Sequence, residues 1–338
     1  MNRGIKDRDK IFIAGINGMV GSAIFRLLNN SKTQFNFKGL KLLIPSRSEL
    51  NLESSKEVNL WFFKNKPNIV ILAAAKVGGI NANNKYPVDF LLNNLKIQNN
   101  IIEAAYQNNV RRLLFLGSSC IYPKLSKQPI KEEYLLNGSL EDTNQWYALA
   151  KISGLKLCEA LRKQYDFDAI SLMPTNLYGR GDNYNLNNSH VLPALIYKIF
   201  NAKQNNLNHV KCWGTGNPLR EFLYVDDLAE ACIFALNSWF PSSRNSPKDD
   251  NGNQLYWLNV GSDSEISIKE LAMKISYLLN FKGEIVWDKD MPDGTKRKKL
   301  YTQRLSKLGW KAKTSIDEGL IKTISHFKNE LKNNKLRI

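Results

Sequence analysis

The stretch Lys10-Ile-Phe-Ile-Ala14-Gly15-Ile-Asn-Gly18-Met-Val-Gly21 decides the fold. Its first five residues form an apolar run with β character, and a helical pattern continues to about Leu28. Between them stand three glycines in the spacing Gly15-x-x-Gly18-x-x-Gly21. Glycines there let the backbone turn tightly and approach a pyrophosphate, and the helix that follows offers free N–H groups and the positive end of its dipole. Three spaced glycines alone are a weak signal, and a plain turn explains them as well. Their place between a strand and a helix makes them a dinucleotide loop comprising Gly15, Ile16, Asn17, Gly18, Met19, Val20 and Gly21.

Moving outward, further apolar runs are Lys41-Leu-Leu-Ile-Pro45, Asn68-Ile-Val-Ile-Leu-Ala-Ala-Ala75, Arg111-Arg-Leu-Leu-Phe-Leu-Gly117 and Ala169-Ile-Ser-Leu-Met173. Helical stretches near residues 54–64, 89–108 and 145–165 separate them. This alternation predicts an α/β fold with a Rossmann-type, doubly wound parallel sheet covered on both faces. From Pro174 the rhythm breaks, which predicts a smaller second α/β domain. Tyr256-Trp-Leu-Asn-Val260 reads as a buried strand returning to the first domain. The expected division is residues 1–173 plus about 223–262 for the dinucleotide domain, and about 174–222 plus 263–338 for a substrate-binding domain. Residues 241–253 read as an exposed loop. Ser315-Ile-Asp-Glu318 reads as a capping box opening a last helix to about Leu331.

After the second strand, enzymes that prefer NAD commonly place a carboxylate against the ribose 2′-hydroxyl. Here stand Ser46 and Arg47, and a guanidinium can hold a 2′-phosphate where a carboxylate repels it. NADPH is therefore the expected cofactor. Tyr147 and Lys151 lie four apart in a helical stretch and share a face. Of the 13 tyrosines only Tyr147 has a lysine at that spacing, although about one such pair arises by chance in a chain this rich in lysine. A nearby ammonium favours phenolate, so this tyrosine can exchange a proton with a carbinol oxygen. Gly117-Ser118-Ser119-Cys120-Ile121-Tyr122-Pro123 follows the fourth strand, at the sheet edge where ligands bind, and Ser118 can donate to a carbonyl there.

Taken together, the glycine loop, Ala73-Ala-Ala-Lys-Val-Gly-Gly-Ile80, the Ser-Ser-Cys turn and the Tyr147/Lys151 pair resemble the extended short-chain dehydrogenase/reductases. Leu116-Gly-Ser-Ser-Cys-Ile-Tyr-Pro-Lys124, Met173-Pro-Thr-Asn-Leu-Tyr-Gly179, Asn188-Ser-His-Val-Leu-Pro193, Pro218-Leu-Arg-Glu-Phe222 and Pro292-Asp-Gly-Thr295 narrow the likeness to the GDP-L-fucose synthase family, from about Lys10 to Phe327. The resemblance implies an NADPH-dependent enzyme. Such enzymes epimerise C3 and C5 of GDP-4-keto-6-deoxy-D-mannose and then reduce C4. It further implies Cys120 as base and His190 as acid for epimerisation, with Ser118, Tyr147 and Lys151 at the C4 oxygen. Leu116, Gly117, Ser118, Ser119, Lys151, Pro174, Thr175, Asn176, Leu177 and His190 would line the cofactor, and Lys198, Trp213, Arg220 and Asp293 the sugar nucleotide. Read alone, Cys120 is a small buried hydrophobe and His190 a structural histidine. The pattern departs at Ile16 and Asn17, where the family often carries His or Arg-type residues, and extra residues stand near Phe35 and Gly39.

The net charge of +17 reads as lysines spread over solvated faces, since no nucleic-acid motif accompanies it. Cys158, Cys212 and Cys232 read as packing residues, and four cysteines without a C-x-x-C pair argue against zinc and for a reduced, cytoplasmic setting. No apolar run reaches the length of a membrane span, and the polar first ten residues carry no signal peptide. A GDP-sugar is the expected partner, and the resemblance implies a homodimer. Two alternatives stand beside this reading. One is an epimerase/reductase for another GDP-4-keto sugar, 3,6-dideoxy or heptose. The other is a non-catalytic NADP- or RNA-binding protein, which the Ser118, Tyr147 and Lys151 set argues against.

Overall fold

A computed structural model of the chain describes residues 3–31, 35, 37–291 and 293–338. Asn36 of the extra stretch and Pro292 of the Pro292–Thr295 motif lie outside the described residues.

Five strands alternate with helices in the first half: β1 (Lys10–Ala14), β2 (Lys41–Leu43), β3 (Ile69–Leu72), β4 (Arg112–Leu116) and β5 (Ala169–Pro174). The helices between them are α1 (Met19–Leu28), α2 (Ser55–Asn65), α3 (Ile80–Lys85), α4 (Asn94–Gln107) and α5 (Gln145–Tyr165). Then follow β6 (Asn176–Tyr178), α6 (Val191–Gln204), β7 (His209–Trp213), β8 (Leu219–Tyr224), α7 (Val225–Ser238), β9 (Trp257–Val260), β10 (Glu265–Ser267), α8 (Ile268–Leu279), β11 (Glu284–Asp288), β12 (Arg297–Lys298), α9 (Gln303–Lys307) and α10 (Ile316–Lys332).

The large sheet has six parallel strands in the order β2-β1-β3-β4-β5-β9. Its central strands are buried on both faces, which is why they read as unbroken apolar runs. One apolar cluster, including Phe12, Val70, Leu113, Phe115, Ile101 and Leu155, covers one face. Another, including Ile13, Ile71, Leu114, Leu172, Leu228 and Ile233, covers the other. Because all strands run the same way, the loops after β1, β2, β3, β4, β5 and β9 share one edge of the sheet. The chain order reverses between β1 and β3, which opens a crevice at that edge.

A third cluster lies beyond the sheet. It takes Leu192, Leu195, Ile196 and Ile199 from α6, Leu271 and Ile275 from α8, and Leu320, Ile324 and Phe327 from α10, all at helical spacing. β8 joins this cluster to the second one through the alternation of a strand, for Phe222 and Tyr224 face the third cluster while Leu223 faces the second. The chain then returns to the large sheet, placing Leu300 in the first cluster and Leu305 and Trp310 in the second. The α10 cap differs from the sequence expectation: Ser315 accepts from Glu318 N at 3.3 Å, but the Glu318 side chain pairs with Lys322 at 2.7 Å. The reciprocal box forms instead at Ser267 and Glu270 before α8.

Candidate functional site

Gly15 follows β1 with φ 95°, and a Cβ there would lie 2.7 Å from Ala74 N after β3. A Cβ on Gly21 would lie 2.1 Å from Gly15 O. Loop and helix are thus packed backbone against backbone, leaving no room for a side chain. Gly18 caps α1 without a side-chain bond, and no acidic residue stands in the first turn. The open N–H groups and dipole fit a dinucleotide pyrophosphate. Ile16 is half-buried and Asn17 exposed. Beyond β2, Ser46 N donates to Glu49 at 2.7 Å. Arg47 is 89% exposed and only 3.8 Å from Glu53, a loose pair that leaves its guanidinium free to turn.

Ser118, two residues past the end of β4, is extended, and its Oγ accepts from Cys120 N at 3.2 Å. The Tyr147 phenol lies beside the Ser118 hydroxyl. Burial raises the phenol pKa, Cys120 raises it further, and the Ser118 hydroxyl opposes them. Lys151 is 4% exposed. Its Nζ donates to Leu116 O at 2.8 Å and lies 5.8 Å from the Tyr147 ring. Burial pushes Lys151 down to about 7. The sequence expectation that Lys151 lowers the Tyr147 pKa is therefore not met in this structure: the lysine is desolvated and turned to a carbonyl. Cys120 is partly exposed and accepts from Asn144 Nδ2 at 3.6 Å.

His190 is the exposed N-cap of α6. Its loop docks on the run after β3, where Gly79 N donates to Asn188 O at 2.9 Å. That run leads into Phe90, whose ring meets Tyr147 edge-on at 6.5 Å. Thr175 Oγ1 and Asn176 Nδ2 donate to Glu221 O at 3.2 and 2.8 Å, which ties the segment 174–177 to β8. Leu177 packs on the second cluster. Leu116 at the end of β4 and Ser119 in the loop that follows it are buried.

Arg220 Nη1 donates to its neighbour Leu219 O at 2.9 Å. Burial lowers its pKa, and the charges of Asp293, Cys120 and Glu141 raise it. Asp293 accepts from Thr215 N at 2.6 Å and Thr215 Oγ1 at 2.8 Å. Trp213 is 50% exposed, and Lys198 Nζ lies 5.8 Å from its ring. The structure thus brings Ser118, Cys120 and Tyr147 together and places Arg220 within electrostatic reach of both Cys120 and Asp293, with Lys198 and Trp213 along the chain from Asp293's partner Thr215. Sequence reasoning missed Asn144, Glu221 and Glu141. Glu221 is fully buried and accepts from Asp263 N at 2.8 Å and Leu300 N at 3.0 Å, which fixes the strand carrying Arg220. Glu141 accepts from Lys124 at 3.2 Å and Thr295 at 3.3 Å. The sequence marks them weakly: Glu221 falls within the run Pro218–Phe222 beside Arg220, and Asn144 stands three before Tyr147.

A phenol, a hydroxyl and a thiol gathered at the carboxyl end of β4, with β3 between them and the glycine cradle after β1, can move protons about a carbonyl. A model of the NAD dependent epimerase/dehydratase family matches residues 11–244. The chain belongs to that family. Within it, GDP-L-fucose synthase 1 of Arabidopsis thaliana is 50% identical over 314 residues, covering 93% of this chain and 91% of that protein. GDP-L-fucose synthase of Escherichia coli (strain K12) is 47% identical over 324 residues, covering 95% and 97%. Among solved structures, a GDP-L-fucose synthetase from Naegleria fowleri bound to NADP matches with a TM-score of 0.84 at 25% identity, covering 99% of this chain and 98% of that one. These proteins match this chain over nearly its whole length and theirs.

Proposed function

We propose that this protein is an NADPH-dependent epimerase/reductase that converts GDP-4-keto-6-deoxy-D-mannose to GDP-L-fucose. The observation that carries the reading is the cluster of Ser118, Cys120 and Tyr147 facing Arg220, on a chain 47% and 50% identical to proteins named GDP-L-fucose synthase. NADPH, when bound, supplies the hydride. Gly15 to Gly21 hold its pyrophosphate, Ser46 and Arg47 its 2′-phosphate, and Leu116–Ser119, Pro174–Leu177, Lys151 and His190 surround the rest.

C3 and C5 both adjoin the C4 ketone, so a proton leaving either carbon puts its electron pair into the C4 oxygen. Cys120 Sγ takes that proton, Ser118 and Tyr147 donate hydrogen bonds to the oxygen, and His190 returns a proton to the opposite face. In the reduction Tyr147 protonates the same oxygen. Arg220 presents a planar fork to the diphosphate, with Asp293, Lys198 and Trp213 along the nucleotide.

The same reading holds residues 1–173 with 223–262 as the cofactor-binding domain and residues 174–222 with 263–338 as the substrate domain. It makes the protein a cytoplasmic homodimer. Exposed Val88 and Leu92 before α4, with Trp146 and Leu149 on α5, support a second copy covering that face. Four free cysteines support a reducing compartment, and no helix among the described residues is long and apolar enough to cross a membrane.

The test incubates purified protein with NADPH and the keto sugar and identifies the product by NMR. GDP-L-fucose is expected. An unepimerised C4 alcohol would remove the Cys120 and His190 roles, and turnover confined to 3,6-dideoxy or heptose GDP-keto sugars would reassign the substrate.

A further inference from the structure

Asn144 stands at the N-cap of α5 with φ −134° and ψ 14°. Asparagine is favoured at such a position because its side-chain oxygen ordinarily accepts from an N–H of the first helical turn. Asn144 makes no such bond. Its Nδ2 instead donates to Cys120 Sγ at 3.6 Å. Its Oδ1 is buried without a hydrogen-bond partner among the described residues. Leaving a helix uncapped and a carbonyl unpaired are both unfavourable. Any apolar residue of similar size would avoid the second cost, so what this side chain contributes is its donor. The turn that aims it is fixed, for Asn144 N donates to Glu141 O at 3.1 Å, and the Glu141 side chain is held by Lys124 and Thr295.

We infer that Asn144 is a positioning residue for epimerisation, orienting the Cys120 sulfur and stabilising its thiolate through the Nδ2–Sγ hydrogen bond. The inference rests on the reading of Cys120 as the base. In that step the C–H bond at C3 or C5 breaks, its electron pair moves to the C4 oxygen, and an S–H bond forms. A donor aimed at sulfur favours the anionic form that begins the step. The reduction of C4 forms no bond to sulfur and does not call on this donor.

The experiment measures deuterium uptake at C3 and C5 in D2O and, separately, NADPH oxidation with a keto sugar already epimerised at both carbons. Asn144→Asp keeps the shape but offers the sulfur only acceptors. The ratio of exchange to reduction should fall about tenfold to a hundredfold, the contribution of one hydrogen bond to a charged group. Asn144→Ala should fall between it and the native protein. Cys120→Ser is the control. If exchange persists in Cys120→Ser, the reading of Cys120 itself fails. If it is lost there but the ratio is unchanged in Asn144→Asp, the inference about Asn144 fails alone. An equal fall in both activities of Asn144→Asp would mark a merely structural residue and overturn the inference too.

Discussion

The glycine cradle after β1 and the cleft around Cys120 share one edge of one sheet and are built by opposite means. The cradle is backbone: Gly15, Gly18 and Gly21 fall within one short stretch of sequence, and a Cβ at Gly21 would strike Gly15 O at 2.1 Å. The cleft is side chains drawn from distant segments: Ser118 and Cys120 after β4, Asn144 and Tyr147 at the head of α5, Arg220 on β8 and Asp293 before β12. Backbone geometry can hold any dinucleotide pyrophosphate. Side-chain geometry has to distinguish one sugar from another. Substitutions in the two regions should therefore fail differently.

The largest effect should come from Tyr147→Phe, which deletes the hydroxyl beside Ser118. NADPH oxidation should fall about a hundredfold to ten-thousandfold while NADPH still binds, as fluorescence titration would report. If binding fell as steeply as turnover, cradle and cleft would not be separable. Gly21→Ala should do the reverse. The Cβ must displace backbone, so NADPH affinity should weaken by about tenfold or more, about 1.4 kcal/mol, with the sugar's binding much less affected. Arg220→Lys keeps the charge and loses the fork, so KM for the GDP-sugar should rise about tenfold with a smaller change in kcat.

The smallest effect lies outside both regions. Asp182 is 4% exposed, one of its oxygens has no partner among the described residues, and burial pushes its carboxyl up to about 7. The folded chain holds that proton above the ordinary carboxyl range near 3.9, where the unfolded chain has released it. The stabilisation is complete below about 3.9 and is lost as pH rises through about 7. Asp182→Asn should therefore raise Tm by about 1–2 °C at pH ~8, about 1 kcal/mol, and by almost nothing near pH ~4.

The same contrast explains what was legible in the sequence. The cradle, the parallel strands and α5 follow from contiguous patterns, because a buried parallel strand and a phosphate loop write themselves locally. The cleft was legible where its residues fall in long ordered motifs, as Cys120 and Arg220 do, or at a helical spacing, as Tyr147 does. Asn144 is 24 positions from the sulfur it touches, and no local pattern marks that contact. Lys151 was found at the right spacing, yet its burial and its bond to Leu116 O are tertiary facts. The two caps make the point on a small scale. Ser267-x-x-Glu270 and Ser315-x-x-Glu318 share a pattern, and Lys322, one turn further on, diverts the second glutamate.

The central claim is that one cleft, fed by one cradle, performs both proton exchange and reduction. It is tested most directly by turning over GDP-4-keto-6-deoxy-D-mannose with NADPH in D2O and locating the isotope by NMR. Deuterium at both C3 and C5 of GDP-L-fucose is the result expected. A reduced product with protium at both carbons would contradict the account.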